Sequence, residues 1–234
     1  VAIYANNCLV EFVRARECHG HHFVVWNDDF PAEGIPSAAR YGNTVQYCWV
    51  MDRGSRNSMD YASTMDLGAN VDQKINYGNT MRGNVLLNGA NIVVHTGWDT
   101  LVEGNIVLGG GTIGFHTNSR RVMLRNNIVI GAAQSGIQMN GGISGNEGEA
   151  ARRSRDCVAD GNIVRDVVGT GINITHQDGA RVRNNLVQNT SSNCLAYQAC
   201  TSLKVEDNTL RLPASGSLTI RNTGTTEDLR STDV

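Results

Sequence analysis

The sequence predicts an all-β solenoid of about eight coils, in which short parallel strands stack one coil above the next. A phrase of apolar residues, a polar pair, Asn and further apolar residues recurs, as in MRGNVLL at 81–87 and LRNNIVI at 124–130. A short segment of alternating apolar and polar residues precedes each phrase, which is typical of a strand. Most repeats lie 21–23 residues apart. This period is too short for a strand, a full helix and a second strand, but it fits three short strands and three turns.

The recurring asparagines predict an internal ladder at one turn of every coil. They are Asn84, Asn105, Asn127, Asn162, Asn185 and Asn208, with Asn43 and Asn6 as weaker, earlier members. Asn tolerates the left-handed backbone conformation that a tight bend between two short strands favours. Stacked amides can also hydrogen-bond from coil to coil and satisfy the buried backbone groups of the bend.

Eight alternating strands precede the bends. They are Phe23–Trp26, Met59–Ala62, Ile92–His95, Ile113–His116, Ile137–Asn140, Ile172–Thr175, Leu195–Gln198 and Leu218–Arg221. Their first and third residues are apolar, so we expect these to point inward and the second and fourth to point outward. Abundant Gly and Asn, with Val and Ile at the apolar positions, favour strands over a helical repeat.

With this repeat, the chain resembles the pectate-lyase-like superfamily of right-handed parallel β-helices, closely over residues 80–222 and more loosely over 1–80. The resemblance implies the fold and leaves the reaction open, because the superfamily includes lyases, hydrolases, epimerases, phage tailspikes and adhesins. The chain has no Asp-Pro-His epimerase motif. Asn27-Asp28-Asp29 resembles only weakly the polygalacturonase-like series Asn-Thr-Asp, Asp-Asp and Gly-His-Gly.

We expect one β-helix domain over residues 1–222 and a C-terminal tail over 223–234. Interruptions of the period predict long loop insertions at about 27–58, 63–80 and 141–153, and such loops often emerge on a binding face. The chain begins at Val1 in what reads as the middle of a repeat, so we expect a segment of a longer protein.

The composition gives no indication of a nucleic-acid partner, a membrane span or a disulfide-built scaffold. With 20 basic and 22 acidic residues, the net charge of −2 gives no sign of nucleic-acid binding. No apolar run approaches the roughly 18 residues of a membrane span. Cys157 falls at an inward strand position, and a strand separates Cys194 from Cys200 too widely for a disulfide. The pairing of Cys8, Cys18 and Cys48 stays open.

The outward positions of the eight strands form two columns. The first is Val24, Asp60, Val93, Gly114, Gln138, Asn173, Ala196 and Thr219; the second is Trp26, Ala62, His95, His116, Asn140, Thr175, Gln198 and Arg221. Neighbouring coils lie ~4.8 Å apart, so we expect His95 and His116 to stack, with Asn140 above them and Asp60 one coil below.

This polar stripe predicts a carbohydrate site, because His, Asn and Gln supply the donors and acceptors that hydroxyl-rich ligands need. We interpret the protein as an enzyme on acidic polysaccharide, with a lyase favoured over a hydrolase. His95, His116 and Asp60 are the predicted catalytic residues, since His can remove a proton near neutral pH. The predicted substrate-binding residues are Trp26, Gln138, Asn140, Asn173, His176, Asp178 and Arg121.

Alternatives stay open at this point. A hydrolase would need two carboxylates ~5–9.5 Å apart, for which Asp60 with Asp28 or Asp29 are the candidates. A non-catalytic glycan-binding or structural β-helix, such as a tailspike body or surface adhesin, is the second interpretation. No cofactor is predicted, although calcium is possible. We expect a monomer or homotrimer in an extracellular, periplasmic or virion-surface location.

Overall fold

The structure, a computed structural model, is a right-handed parallel β-helix. It describes residues 1–3, 5–16, 21–26, 40–51, 64–68, 76–116, 118–141, 153–211, 220–222 and 230–232. Within these ranges there is no helix, and therefore none that could cross a membrane. Three long parallel sheets form the sides of the solenoid, and each coil contributes one strand to each sheet in turn.

We name the long sheets A, B and C in the order in which a coil visits them. Sheet A contains Ala2–Ile3, His21–Trp26, Thr64–Gly68, Asn91–His95, Ile113–His116, Ile137–Asn140, Ile172–Thr175, Leu195–Gln198 and Ile220–Asn222. Sheet B contains Leu9–Glu11, Thr44–Gln46, Thr80–Arg82, Leu101–Glu103, Met123–Arg125, Val158–Asp160, Arg181–Arg183, Lys204–Glu206 and Arg230–Thr232. Sheet C contains Arg14–Arg16, Trp49–Met51, Val85–Leu87, Ile106–Gly110, Ile128–Ala132, Ile163–Val167, Leu186–Thr190 and Thr209–Arg211.

Two small sheets cover the turn between sheets A and B. One contains Arg40–Tyr41, Asn76–Tyr77 and Gly97–Trp98, and the other contains Ser154–Arg155 and Gln177–Asp178. Isolated bridges of Arg120 to Trp98 and to Arg155 join the two along the solenoid.

The core is built from residues that stack in register from coil to coil. One inward column of sheet A runs through Phe23, Met65, Ile92, Ile113, Ile137, Ile172 and Leu195, all fully buried. Burying each such side chain contributes about 1.5–3 kcal/mol. The alternation of the sequence therefore becomes a continuous apolar interior with a polar exterior on sheet A.

The predicted asparagine ladder is confirmed at the turn between sheets B and C. The Asn127 Oδ1 accepts hydrogen bonds from the backbone N–H and the side-chain amide of Asn105, both at 3.0 Å. The Asn127 Nδ2 donates to the Val102 carbonyl and to the Asn162 Oδ1, also at 3.0 Å. The same pattern runs through all six predicted members, from Asn84 to Asn208.

Asn43 and Asn6 do not belong to this ladder. The Asn43 Oδ1 accepts from the Cys8 N–H, and its own N–H donates to the Asn79 Oδ1, at the turn before sheet B. Asn6 accepts from the Tyr41 N–H at the same side of the coil. At the ladder position of the preceding coil the chain carries Cys48, whose N–H donates to the Asn84 Oδ1.

The register before residue 80 and the domain bounds need correction. The predicted strand Met59–Ala62 lies outside the described residues, and Thr64–Gly68 pairs between His21–Trp26 and Asn91–His95 instead. Parts of the predicted insertions 27–58 and 63–80 are regular strands, among them Thr44–Gln46 and Trp49–Met51. The predicted strand Leu218–Arg221 is shifted to Ile220–Asn222, and Arg230–Thr232 in the predicted tail pairs with Lys204–Glu206.

The described cysteines are free thiols. Cys157 is fully buried, as predicted, but lies directly before the strand Val158–Asp160 and not within a strand. Cys194 and Cys200 are buried on either side of Leu195–Gln198, so the strand separates them as expected. Cys8 and Cys48 are also free, and Cys18 lies outside the described residues.

Candidate functional site

The outward face of sheet A carries the two predicted columns in a corrected register. Asp66 pairs with Val24 on one side and Val93 on the other, and therefore takes the first-column place that the sequence assigned to Asp60. Gly114, Gln138 and Asn173 continue that column, as predicted. Asp60 itself lies outside the described residues.

His95 and His116 are register partners in the second column and stack on one another. Their ring centroids are 5.3 Å apart and the rings are inclined by 20°. The His95 side chain is 35% exposed, and its Nε2 lies 3.8 Å from the Asp66 Oδ2. The predicted arrangement of two stacked histidines with a carboxyl one coil below is thus present, with Asp66 as the carboxyl.

An amide and a hydroxyl orient His116 from the other side. The Thr175 hydroxyl donates to the Asn140 Oδ1 at 2.8 Å, which turns the Asn140 Nδ2 toward the His116 Nδ1 at 3.4 Å. A donor aimed at Nδ1 selects the neutral tautomer with the proton on Nε2. We call Asp66, His95, His116, Asn140 and Thr175 the histidine cluster.

Burial shifts the pKa values of two members of the histidine cluster. Desolvation raises the pKa of Asp66 from 3.8 to about 7, because the ionised carboxylate loses its hydration. Desolvation lowers the pKa of His116 for the complementary reason, since its charged form is the imidazolium. Near neutral pH His116 is therefore in its neutral form, and the Asp66 carboxyl is partly protonated.

A family model for the right-handed beta helix region matches residues 63–210. The chain belongs to this right-handed β-helix family. A search of curated protein sequences finds no match. The family model covers the coils that carry the histidine cluster, so the cluster lies within the matched solenoid.

Solved β-helix structures share the fold at low sequence identity. The A-module of mannuronan C-5 epimerase AlgE6 of Azotobacter vinelandii has a TM-score of 0.55 at 11% identity, over 89% of this chain and 64% of that one. The periplasmic alginate epimerase AlgG gives 0.53 at 11%, over 84% and 51%. The tailspike of E. coli bacteriophage HK620, in complex with a pentasaccharide, gives 0.60 at 14%, over 96% and 41%. This chain thus spans between about two fifths and two thirds of these structures.

Three predicted binding residues of this β-helix lie in the outward columns. Trp26 pairs with Gly68, which places it in the second column two coils before His95. Gln138 and Asn173 are register partners in the first column and are partly exposed. Gln138 lies on the same strand as Asn140 and Asn173 on the next coil, so the two residues extend the polar face beside Asn140.

The other predicted binding residues lie in the turn after sheet A and are engaged there. Arg121 donates to both carboxylate oxygens of Asp99, at 2.5 and 2.7 Å, and this hydrogen bonding holds the pKa of Asp99 below its usual range. Burial alone would raise the pKa of Asp178, but hydrogen bonds from Thr201 and Arg153 lower it. His176 leaves the strand in a left-handed conformation, with φ of 51°.

The carboxylates and possible metal ligands of this face are known for the described residues. Asp66 is the one carboxylate in the two columns over the described part of sheet A. Asp28 and Asp29, the other half of the hydrolase hypothesis, lie outside the described residues. In the ranges that the structure describes, no three His, Cys, Asp or Glu side chains converge as a metal site.

The sequence hypothesis missed Asp66 and the orienting role of Thr175. Asp66 was hidden because Met59-Asp60 and Met65-Asp66 present the same local pattern six residues apart. Thr175 was already placed in the second column, and its position next to Asn140 was the available signal for a hydrogen bond.

Proposed function

We propose that the outward face of sheet A binds an acidic polysaccharide and that the histidine cluster removes a proton from the carbon next to a uronate carboxylate. The observation that carries this proposal is the stacked pair His95–His116, backed by a buried carboxyl on one side and oriented by an amide on the other. Such groups with shifted pKa values are characteristic of general acid–base sites.

Each member of the cluster has a distinct role in this proposal. His95 is the base, because a third of its side chain is exposed to a ligand. Asp66 is a positioning residue, since its side chain is almost fully buried and reaches the ligand only through His95. His116 donates a hydrogen bond through Nε2 to the substrate carboxylate and stabilises the charge that develops there.

A lyase reaction on this geometry is balanced as follows. His95 takes the proton from C5 of a uronate, and the electrons of the C–H bond form a double bond between C4 and C5. The bond from C4 to the glycosidic oxygen breaks, and that oxygen takes a proton from water. The hydroxide that remains takes the proton from His95, which restores the base. The products are a chain with a new reducing end and a chain that begins with an unsaturated uronate.

Proton removal at C5 is also the first step of epimerisation, and two of the similar folds are alginate epimerases. These likenesses support an acidic polysaccharide as the substrate class. They also support a location outside the cytoplasm, since AlgG is described as periplasmic and the tailspike belongs to a phage.

The test is a screen on polymannuronate, polyguluronate and polygalacturonate, with and without calcium. It measures ultraviolet absorbance of unsaturated uronate, new reducing ends, and deuterium incorporation at C5 in D₂O by NMR. Absorbance with reducing ends identifies a lyase, and deuterium incorporation alone identifies an epimerase. Reducing ends without absorbance identify a hydrolase and contradict the proposed chemistry.

The variants His95→Gln, His116→Gln and Asp66→Asn locate the activity. We expect the first two to abolish turnover with the fold intact, and the third to reduce it. Arg181→Ala, an exposed change on sheet B, is the matched control and should leave turnover unchanged. Unchanged activity in His116→Gln would refute the assignment.

A second candidate function is a non-catalytic, glycan-binding β-helix that assembles with copies of itself. It is favoured by the outward face of sheet C, where partly exposed apolar side chains are in register over three coils. They are Val85, Leu87, Ile106, Leu108, Ile128 and Ile130. Contiguous apolar patches of this kind mark association surfaces. Ultracentrifugation that finds a trimer, with glycan binding but no signal in any of the three channels, would select this candidate.

A further inference from the structure

The turn between sheets B and C places one residue of every coil in the left-handed backbone region. These residues are Phe12, Tyr47, Gly83, Gly104, Asn126, Gly161, Asn184 and Asp207, with φ between 51° and 66°. Six of the eight are Gly, Asn or Asp, the residues that tolerate this conformation. Phe12 and Tyr47, on adjacent coils, are the exceptions.

Two aromatic residues in this conformation are costly to the fold. Bulky side chains rarely adopt positive φ, because Cβ then crowds the backbone. Burial does not compensate, since Phe12 is 72% exposed and Tyr47 is 48% exposed. Strained residues whose side chains stay outside the buried core point to a function at that position.

The two rings form an exposed platform. Their centroids are 5.7 Å apart and the rings are inclined by 19°. The ring of Tyr47 lies over Gly83, where an added Cβ would come within 2.7 Å of two ring carbons. The glycine of the third coil therefore leaves the space that lets Tyr47 lie in this stack.

A groove of about 580 Å³ runs beside the platform onto the outward face of sheet C. Its lining includes Arg14, Arg16 and Trp49, and Arg14 and Trp49 are register partners on adjacent coils. The Arg16 guanidinium lies 5.7 Å from the Trp49 ring centroid. Arg14 is exposed and makes no ion pair within the described part of the chain.

The charge around the groove selects an anionic ligand. The nearest described carboxylate in sequence, Glu11, accepts a hydrogen bond from the Gln46 amide at 2.8 Å. Arg14 makes no ion pair with Glu11 or with any other carboxylate in the described ranges, so its guanidinium is available to an anionic ligand. Flat aromatic faces pack against the C–H faces of sugar rings, and guanidinium groups bind carboxylates in a bidentate manner.

We propose that this groove is a second binding site, for an acidic oligosaccharide, on a side of the solenoid distinct from the sheet A face. Phe12, Tyr47 and Trp49 stack against sugar rings, and Arg14 pairs with a carboxylate of the ligand. The groove volume lies within the range of about 300–1,000 Å³ usual for ligand sites. The proposal goes beyond the function proposed for sheet A and does not require that face to be catalytic.

The test uses calorimetric titration with hexasaccharides of mannuronate and of galacturonate, in a His116→Gln background so that turnover does not interfere. A neutral cellohexaose and a single-stranded DNA oligonucleotide are the comparison ligands. We expect binding of at least one hexauronate, little binding of cellohexaose, and weakening of about tenfold or more in Arg14→Gln and Trp49→Ala.

A pair of glycine variants separates the aromatic platform from general destabilisation. Gly83→Ala displaces the Tyr47 ring, whereas Gly104→Ala, at the same turn with φ of 62°, meets no atom within 4 Å. Both variants carry the same backbone strain, so their melting temperatures should fall together. We expect Gly83→Ala to weaken hexauronate binding several-fold and Gly104→Ala to leave it unchanged.

Three results would overturn the proposal. One is hexauronate affinity that is unaffected in Trp49→Ala and Arg14→Gln, which would place the binding on sheet A. Another is equal affinity of the two glycine variants. The third is tighter binding of the DNA oligonucleotide than of either hexauronate. None of these depends on the turnover screen, so the failures of the two proposals are distinguishable.

Discussion

Replacing Asp66 with Asn tests the electrostatics of the histidine cluster through the stability of the fold. Asp66 is 4% exposed and lies between two strands of sheet A. The Asn side chain has nearly the same shape but carries no ionisable group. The pH dependence of the difference between the two proteins therefore reports the pKa of the Asp66 carboxyl in the folded state.

The sign follows from the direction of the pKa change. Because the folded pKa of Asp66 is above the unfolded one, the folded state holds a proton that the unfolded state loses between pH 3.8 and about 7. The free energy of unfolding of the natural protein therefore falls as the pH rises through this window. The variant has no titrating group at this position, so Asp66→Asn gains stability relative to the natural protein with rising pH.

The magnitude follows from the same values. A rise of the pKa from 3.8 to about 7 at 1.36 kcal/mol per pH unit gives about 4 kcal/mol between pH 4 and pH 8. The largest part of this change falls between pH 4 and pH 7, and the difference levels off above the folded pKa.

Urea denaturation of both proteins at intervals from pH 4 to pH 8.5 measures this difference. Asp99→Asn is the matched control, because hydrogen bonding to Arg121 lowers the pKa of Asp99. Its pH dependence has the opposite sign: the exposed pair contributes a small stabilisation above pH 3.8 and loses it as the pH falls through the folded pKa. A free-energy difference for Asp66→Asn that does not change with pH would refute the account of a desolvated carboxyl.

Three further predictions address the ladder, the site and the thiols. Asn127→Ala removes four buried hydrogen bonds and should lower the free energy of unfolding by about 3–5 kcal/mol, measured by urea denaturation. Asn208→Ala removes as many hydrogen bonds at a partly exposed position, where water replaces them, and should lower it by about 1–2 kcal/mol. Equal losses in the two variants would contradict the role of burial. Thr175→Val frees the Asn140 amide, so turnover should fall about fivefold and the acidic limb of the pH–rate profile should move to higher pH, while Thr175→Ser retains both. Burial raises the pKa of Cys157 to about 12, so a thiol reagent followed by mass spectrometry should leave Cys157 unmodified until urea unfolds the chain, and early modification would contradict its place in the core.

The sequence predicted the part of the fold in which the bend of every coil needs a side chain that pairs its buried backbone groups. Between residues 80 and 211 the bend always buries backbone groups, and Asn satisfies them, so the ladder marks each coil. Five of the eight predicted strands follow from that count. Because the outward columns depend only on the period and the alternation, the stack of His95 on His116 could be predicted as well.

Before residue 80 the bends carry other residues in place of the recurring Asn, and the sequence no longer shows the period. Cys48 stands at the ladder position, and Phe12 and Tyr47 stand where later coils carry Gly, Asn or Asp. Two Met-Asp pairs fit the pattern of one strand equally well, so local alternation does not distinguish Asp60 from Asp66. The choice is made by pairing with Phe23 and Ile92 on neighbouring coils, which is information that no local window contains.

One further signal was present in the sequence and would have sharpened the candidate site. In a solenoid the neighbour of a side chain on the next coil lies one period away, so opposite charges separated by one period are expected to pair. Asp99 and Arg121 are 22 residues apart, and Asp160 and Arg183 are 23 apart; both pairs are hydrogen-bonded. Asp178 pairs in the same way with Arg155, 23 residues before it, at 3.8 Å. Applied to the charged candidates, this test removes Arg121 and Asp178 because each is already engaged. It retains His95 and His116, which are 21 residues apart and have like charge when protonated. The period therefore leaves the histidine pair as the candidate for the proton transfer proposed above, and the turnover of His95→Gln and His116→Gln decides whether the pair transfers protons or only completes a solvated sheet face.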